Sequence, residues 1–190
     1  MKIDKALNLV CPVDSDNGMV YIHSMPIGRE VFERYFMVIS KTFAALFSEG
    51  LNTVAGPRVA AMLLKKIAIE MGEWDGEAGV EIGLMGEIRR LSNVAIPGPS
   101  GWSTVPLNVA VSREFIDQRD VDEAEGAIVF FTCISLMSKR NEAAYFVRMM
   151  CELWSTQTTS LSTTAYAASL PMLTATATLP QEAITSSVPL

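Results

Sequence analysis

The sequence predicts a mainly α fold with a small N-terminal β-hairpin: a single helical domain over residues 1–154, followed by a flexible Ser/Thr-rich C-terminal arm over residues 155–190. Three observations carry this prediction. Apolar residues recur at three- and four-residue steps in blocks separated by Gly, Pro and Asn clusters, which is the period of helices that bury one face. Strict alternation, the mark of half-buried strands, is confined to the stretch before Met25. After Trp154 the chain turns to Ser, Thr and Ala, with Glu182 the one charged side chain and prolines at 171, 180 and 189. Such a segment has too few large apolar groups to offset its ordering entropy, so it reads as an arm that orders only on binding.

The elements follow in order. "LNLVCPV" and "GMVYIHSM", joined by the turn-rich "DSDNG", read as the hairpin. A long helix should start near Gly28 to Glu30 and stop at Gly50, burying Phe32, Tyr35, Phe36, Ile39, Phe43, Leu46 and Phe47. The next begins at "GPR", where Pro57 suits a first helical position because its missing N–H would be unpaired there. Its buried stripe is Ala60, Leu63, Leu64, Ile67, Ala68 and Met71. A third helix covers Ala78 to Leu91, and the prolines and glycines of "SNVAIPGPSGW" argue against regular structure after it. A short helix is expected in "TVPLNVAVSREFI". The helix that follows starts at Asp120, with Glu123 three residues on as in a capping box, and ends near Lys139 and Arg140. "NEAAYFVRMMCELW" supplies a last amphipathic helix.

A chain of 190 residues suffices for one domain, which buries roughly 70% of the surface its unfolded form exposes. The net charge of −6 is spread over interleaved acids and bases with no Lys/Arg block to track a phosphate backbone, so nucleic acid is not the expected partner. The three cysteines, Cys11, Cys133 and Cys151, are far apart in sequence and fit a reducing cytosol. The longest apolar run, Gly126 to Met137, is too short to cross a bilayer, and no membrane contact is expected.

No motif points to catalysis, a metal or a cofactor. His23 is the one histidine, and neither a GxSxG elbow nor a phosphate loop is present. The acids Asp117, Asp120, Asp122, Glu123 and Glu125 lack the ligand order of a calcium loop and read as a solvated helix start. Glu73, Asp75, Glu77 and Glu81 around Trp74 read as a polar turn, with a small hydrolase or transferase as the enzymatic alternative. What exceeds the needs of a core is apolar surface on the first long helix and on the last one, where Tyr145, Phe146, Met149, Met150 and Trp154 are the expected protein-binding residues.

Four blocks, "IHSMPIGREVFERYFMVISKTFAALFSEGL", "AGPRVAAMLLKKIA", "EIRRLSNVAIPGPSGWSTVPL" and "DVDEAEGAIVFFTCISLM", occur in an order that resembles the tail assembly chaperones of long-tailed bacteriophages, a group related in role to the lambda-type tail chaperones. The resemblance covers Val20 to Arg140 and implies a mainly helical, non-enzymatic protein of the host cytoplasm. It also implies binding to the tape-measure protein, recruitment of tail tube protein and self-association. A structural component retained in the phage tail is the alternative. The resemblance carries no binding residue over to a position in this chain.

Overall fold

The computed structural model describes residues 7–16 and 18–171. Two elements open the chain as an antiparallel hairpin, β1 (Asn8–Ser15) and β2 (Gly18–Ser24), closed where Ser15 pairs with Gly18. Three helices follow: α1 (Arg29–Arg34), α2 (Phe36–Ser48) and α3 (Asn52–Glu70). A π-helical segment, Val80–Met85, runs directly into α4 (Gly86–Arg90). A second hairpin, β3 (Ser92–Gly98) and β4 (Gly101–Pro106), leads to α5 (Leu107–Ser112), α6 (Gln118–Met137) and α7 (Arg140–Leu153). The short strand β5 (Gln157–Thr159) and α8 (Thr163–Ser169) complete the described chain.

The expected fold class needs correction. The five strands form one antiparallel sheet in the order β4-β3-β2-β1-β5, where a small N-terminal hairpin on a mainly helical domain was expected. The prolines that argued against β3–β4 sit where a strand has an unpaired side. Pro97 lies beyond Ser92–Ala95, the part of β3 that pairs with β2, and Pro106 ends the edge strand β4. Both spare the ladder a missing donor. The glycines close the hairpin: Gly98 pairs with Gly101, whose φ of +115° lies in the region that favours glycine.

The arm expected to be flexible from residue 155 is, as far as Pro171, part of the architecture. β5 pairs with β1, and α8 packs on the outer face of the sheet over β3 and β4. Residues 172–190, the rest of that expected arm, lie outside the described residues. Strand alternation explains why the outer face needs a cover. Leu9, Cys11, Val20, Ile22, Val94 and Ile96 point into the helical core. Val10, His23 and Ala95 are buried on the opposite face, where the Tyr166 ring of α8 lies 5.8 Å from that of His23.

Polar groups fix this cover in place. Asn8 Nδ2 donates to the Leu161 carbonyl at 2.7 Å, Trp102 Nε1 to the Pro171 carbonyl at 2.9 Å, and Gln157 to the Tyr166 hydroxyl. His23, fully buried, meets the Leu161 carbonyl through Nε2 at 3.2 Å and Thr163 Oγ1 through Nδ1 at 3.1 Å. A carbonyl only accepts, so Nε2 carries the proton and the Thr163 hydroxyl donates to Nδ1. Burial holds the His23 pKa below the ordinary histidine value.

The helical layer is built around α6. From Ala124 to Ile134 every residue of α6 is buried, so this helix is central to the layer. It crosses α3 at very short range. A Cβ on Gly126 would lie 2.4 Å from the Pro57 carbonyl oxygen, and one on Gly56 would lie 2.3 Å from the Phe130 ring. The predicted long first helix is broken at Tyr35, which is buried and donates its hydroxyl to the Ala78 carbonyl at 3.0 Å. The break also turns the helix face: Val38, Ile39, Thr42 and Leu46 are buried, while Phe36, expected in the core, is 43% exposed.

Gly126→Ala should lower stability by about 1–3 kcal/mol, because a backbone carbonyl cannot yield to the added carbon. Gly86→Ala, whose Cβ would meet nothing nearer than 3.8 Å, should be neutral or stabilise by up to about 1 kcal/mol; urea denaturation measures both. Because the folded His23 resists protonation, the unfolded chain binds the extra proton first as pH falls. Stability should therefore hold above pH of about 6.5 and decline below it, and His23→Gln should flatten that part of the profile in pH-dependent melts.

Candidate functional site

A proline inside a helix positions the surface that the sequence singles out. α3 begins at Asn52, so Pro57 sits within it and not at its first position. A residue there would normally donate its N–H to the carbonyl four residues back, that of Thr53; proline has no such donor. Thr53 is buried, and its orphaned carbonyl accepts instead from Trp154 Nε1 at 3.1 Å. The end of α7 is thereby tied to the first turns of α3.

With its end held there, α7 lays one face on the core and leaves another open. Val147 and Met150 are buried, and Ala143 packs against the same cluster. Phe146 is half-buried and packs at a tilt against Phe47, with ring centroids 5.1 Å apart. Phe43 continues the row at 4.8 Å from Phe47, and Tyr145 closes it at 5.6 Å from Phe146. Tyr145 is 50% exposed and has the Arg148 guanidinium 6.0 Å from its ring centre. A four-ring aromatic row therefore runs from α2 onto α7 and ends in solvent.

The five residues expected to bind protein divide accordingly. Tyr145, Phe146 and Met149 lie on or beside the open row; Met150 has no exposed surface, and Trp154 is half-buried with its indole N–H committed to Thr53. Leu153, 55% exposed, and Val54, 66% exposed beside the Thr53 carbonyl, extend the apolar surface. Leu153 carries a usable sequence signal, four residues after Met149 on the same helix face. Val54 was hidden because placing Pro57 at a helix start assigned Val54 to a loop.

The charged residues are arranged otherwise than expected. Asp117, not Asp120, caps α6: its carboxylate accepts from the Asp120 N–H at 2.9 Å, while the Asp120 side chain accepts from the Asp117 N–H at 3.3 Å. That backbone N–H, with Arg119 second, holds the Asp117 pKa below the ordinary carboxylate value. Glu125, grouped by sequence with the solvated acids, is buried and takes two guanidinium nitrogens of Arg89. The pair lines a groove of about 510 Å³ between α3, the π-segment and α6. In that groove Lys65 lies 5.1 Å from the centre of the Trp74 ring. Of the acids around Trp74, Glu81 reaches this groove; Glu73, Asp75 and Glu77 are exposed. The π-segment packs on Tyr35 through Gly83, where a Cβ would overlap the phenol oxygen.

Burial pushes the Cys11 and Cys133 thiols up to about 12 and raises Cys151, which keeps all three protonated near neutral pH. Among the described residues no group of three or more His, Cys, Asp and Glu side chains is placed to hold a metal ion, and no helix is long and apolar enough to cross a membrane. Compared with known proteins, the chain matches no family model, no curated protein and no solved structure.

The Pro57–Trp154 relation has a measurable signature. Trp154→Phe keeps the ring and removes the donor, and should cost about 1–3 kcal/mol by leaving a buried carbonyl unpaired. In a Pro57→Ala background the restored backbone N–H satisfies Thr53, so the same change should cost much less. A double-mutant cycle in urea checks this; equal costs in the two backgrounds would contradict the coupling.

Proposed function

We propose that this chain is a phage tail assembly chaperone that holds the tape-measure protein and helps to recruit tail tube protein in the cytoplasm of the infected host. The observation that carries the reading is the aromatic row from Phe43 to Tyr145, extended by Leu153, standing half-open on a rigid helical layer. The resemblance of four sequence blocks to such chaperones supports the same reading. Tape-measure proteins are long and helical in the group resembled, so their apolar faces need cover before the tube assembles around them. A row of aromatic and Met side chains suits that task, because such surfaces accept an amphipathic helix without demanding one sequence. Flexible Met149 beside the rigid rings adds adaptability, and Arg148 at the edge of Tyr145 gives the surface a polar border. Self-association through the same apolar surface, before the partner arrives, belongs to this reading.

Co-expression with the tape-measure protein, followed by capture through a tag on this chain, tests it. Soluble tape measure should be retained, and the double change Tyr145→Glu and Leu153→Glu should reduce retention at least about tenfold, equivalent to ~1.4 kcal/mol, with an unchanged melting temperature. Purification of this chain alone while the tape measure precipitates would overturn the reading.

A further inference from the structure

The longer edge of the sheet has no neighbour. β4 ends the strand order, and among the described residues no strand lies on its other side. Its ladder with β3 closes at Gly98 and Gly101, across a turn of Pro99 and Ser100. Alternate residues of an antiparallel strand bond to opposite sides. With Gly101, Ser103 and Val105 turned to β3, the backbone N–H and C=O groups of Trp102 and Thr104 point outwards. β4 carries no charged side chain to blunt this edge. The described chain ends beside it: α8, which follows β5, lies over β3 and β4, and the Pro171 carbonyl accepts from Trp102 Nε1 at 2.9 Å, at the start of β4.

We propose that residues 173–179, "LTATATL", occupy this edge as a sixth strand running parallel to β4. The sequence alternates Leu or Ala with β-branched Thr and is bounded by Pro171 and Pro180, the pattern and punctuation of a strand. Met172 alone separates Pro171 from the segment. Two residues reach about 7 Å, against the ~4.8 Å between neighbouring strands. Direction follows from that short reach, because a segment starting beside Trp102 has β4 alongside it only when it runs towards Pro106. Topology agrees. Neighbouring strands are all antiparallel, so β4 and β5, at the two ends of the five-strand order, run the same way. The chain passes from β4 to β5 through α5, α6 and α7 on the core side and returns through α8 on the outer side. Reversing both direction and face preserves hand, so the two crossovers share one hand, as the right-handed rule for parallel connections requires. The faces match as well. With the Leu and Ala side chains on the side where Val105 meets the core, the three threonines fall beside Thr104. The added strand removes an edge that would otherwise invite other chains, so association is left to the helical surfaces.

Amide hydrogen exchange of the full chain, followed by NMR, tests this. The Trp102 and Thr104 amides should exchange at least about a hundredfold more slowly than in an unfolded chain. The double change Ala175→Pro and Thr176→Pro removes a donor whichever of the two neighbours faces β4, and should speed both amides at least about tenfold. The Ser103 and Val105 amides, bonded to β3, should stay protected in that variant and so report an intact sheet. Ser186→Pro, beyond the segment, should leave all four rates unchanged. Trp102 and Thr104 exchanging as in an unfolded chain, or protection that survives the double change, would overturn the proposal. Protection that rises with protein concentration would also overturn it and assign the edge to a second copy. The measurement involves no tape-measure protein, so its outcome is independent of the capture experiment.

Discussion

The close crossing of α3 and α6 is the constraint on which the rest of the molecule depends. Two glycines make it: Gly126 lets the Pro57 carbonyl approach, and Gly56 receives the Phe130 ring. Backbones this close leave α6 no solvent face through its middle, so its other sides must be covered by α2, α7 and the inner face of the sheet. The same burial takes Glu125 out of water, and a buried carboxylate needs a partner, which Arg89 supplies from α4. One crossing thus sets the place of four other elements.

Pro57 connects that crossing to the surface. Its carbonyl touches α6, while its missing N–H frees the Thr53 carbonyl for Trp154, so a single residue helps to fix both α6 and the end of α7. From Trp154 the consequences run two ways. Along α7 they place Phe146 against Phe47 and leave Tyr145 and Leu153 open to solvent. Past α7 the chain turns at Ser155, with φ +52°, brings Thr156 beside β1 and enters β5. The outer face of the sheet is closed by that same segment, where the His23 ring bridges the Leu161 carbonyl and the Thr163 hydroxyl.

Much of the helical layer was legible. The apolar run from Gly126, the stripe of α3 and the limits of α7 follow from residue spacing, because long periodic segments have few alternatives. The sheet beyond the first hairpin was not. β3 and β4 contain Pro97, Gly98 and Pro106, which break strands in general but are harmless at an unpaired side or a turn, and pairing is a property of the fold. β5 and α8 escaped notice because small and hydroxylated residues carry little apolar signal; what orders them is contact with Val10, Tyr21 and His23 more than a hundred residues earlier. The face of α7 was visible in outline, yet sequence could not tell that Met150 turns inward or that Trp154 answers a proline in another helix.

We propose that the row from α2 to α7 is the working surface of this chain and that the outer sheet face, covered by α8, is its closed side. Hydrogen exchange of the chain, free and bound to the tape-measure protein, tests this most directly. Binding should slow exchange in residues 43–47 and 145–153 and leave β3, β4 and α8 unchanged. Protection confined to β4 and α8, with the α7 amides exchanging as in the free chain, would contradict the account.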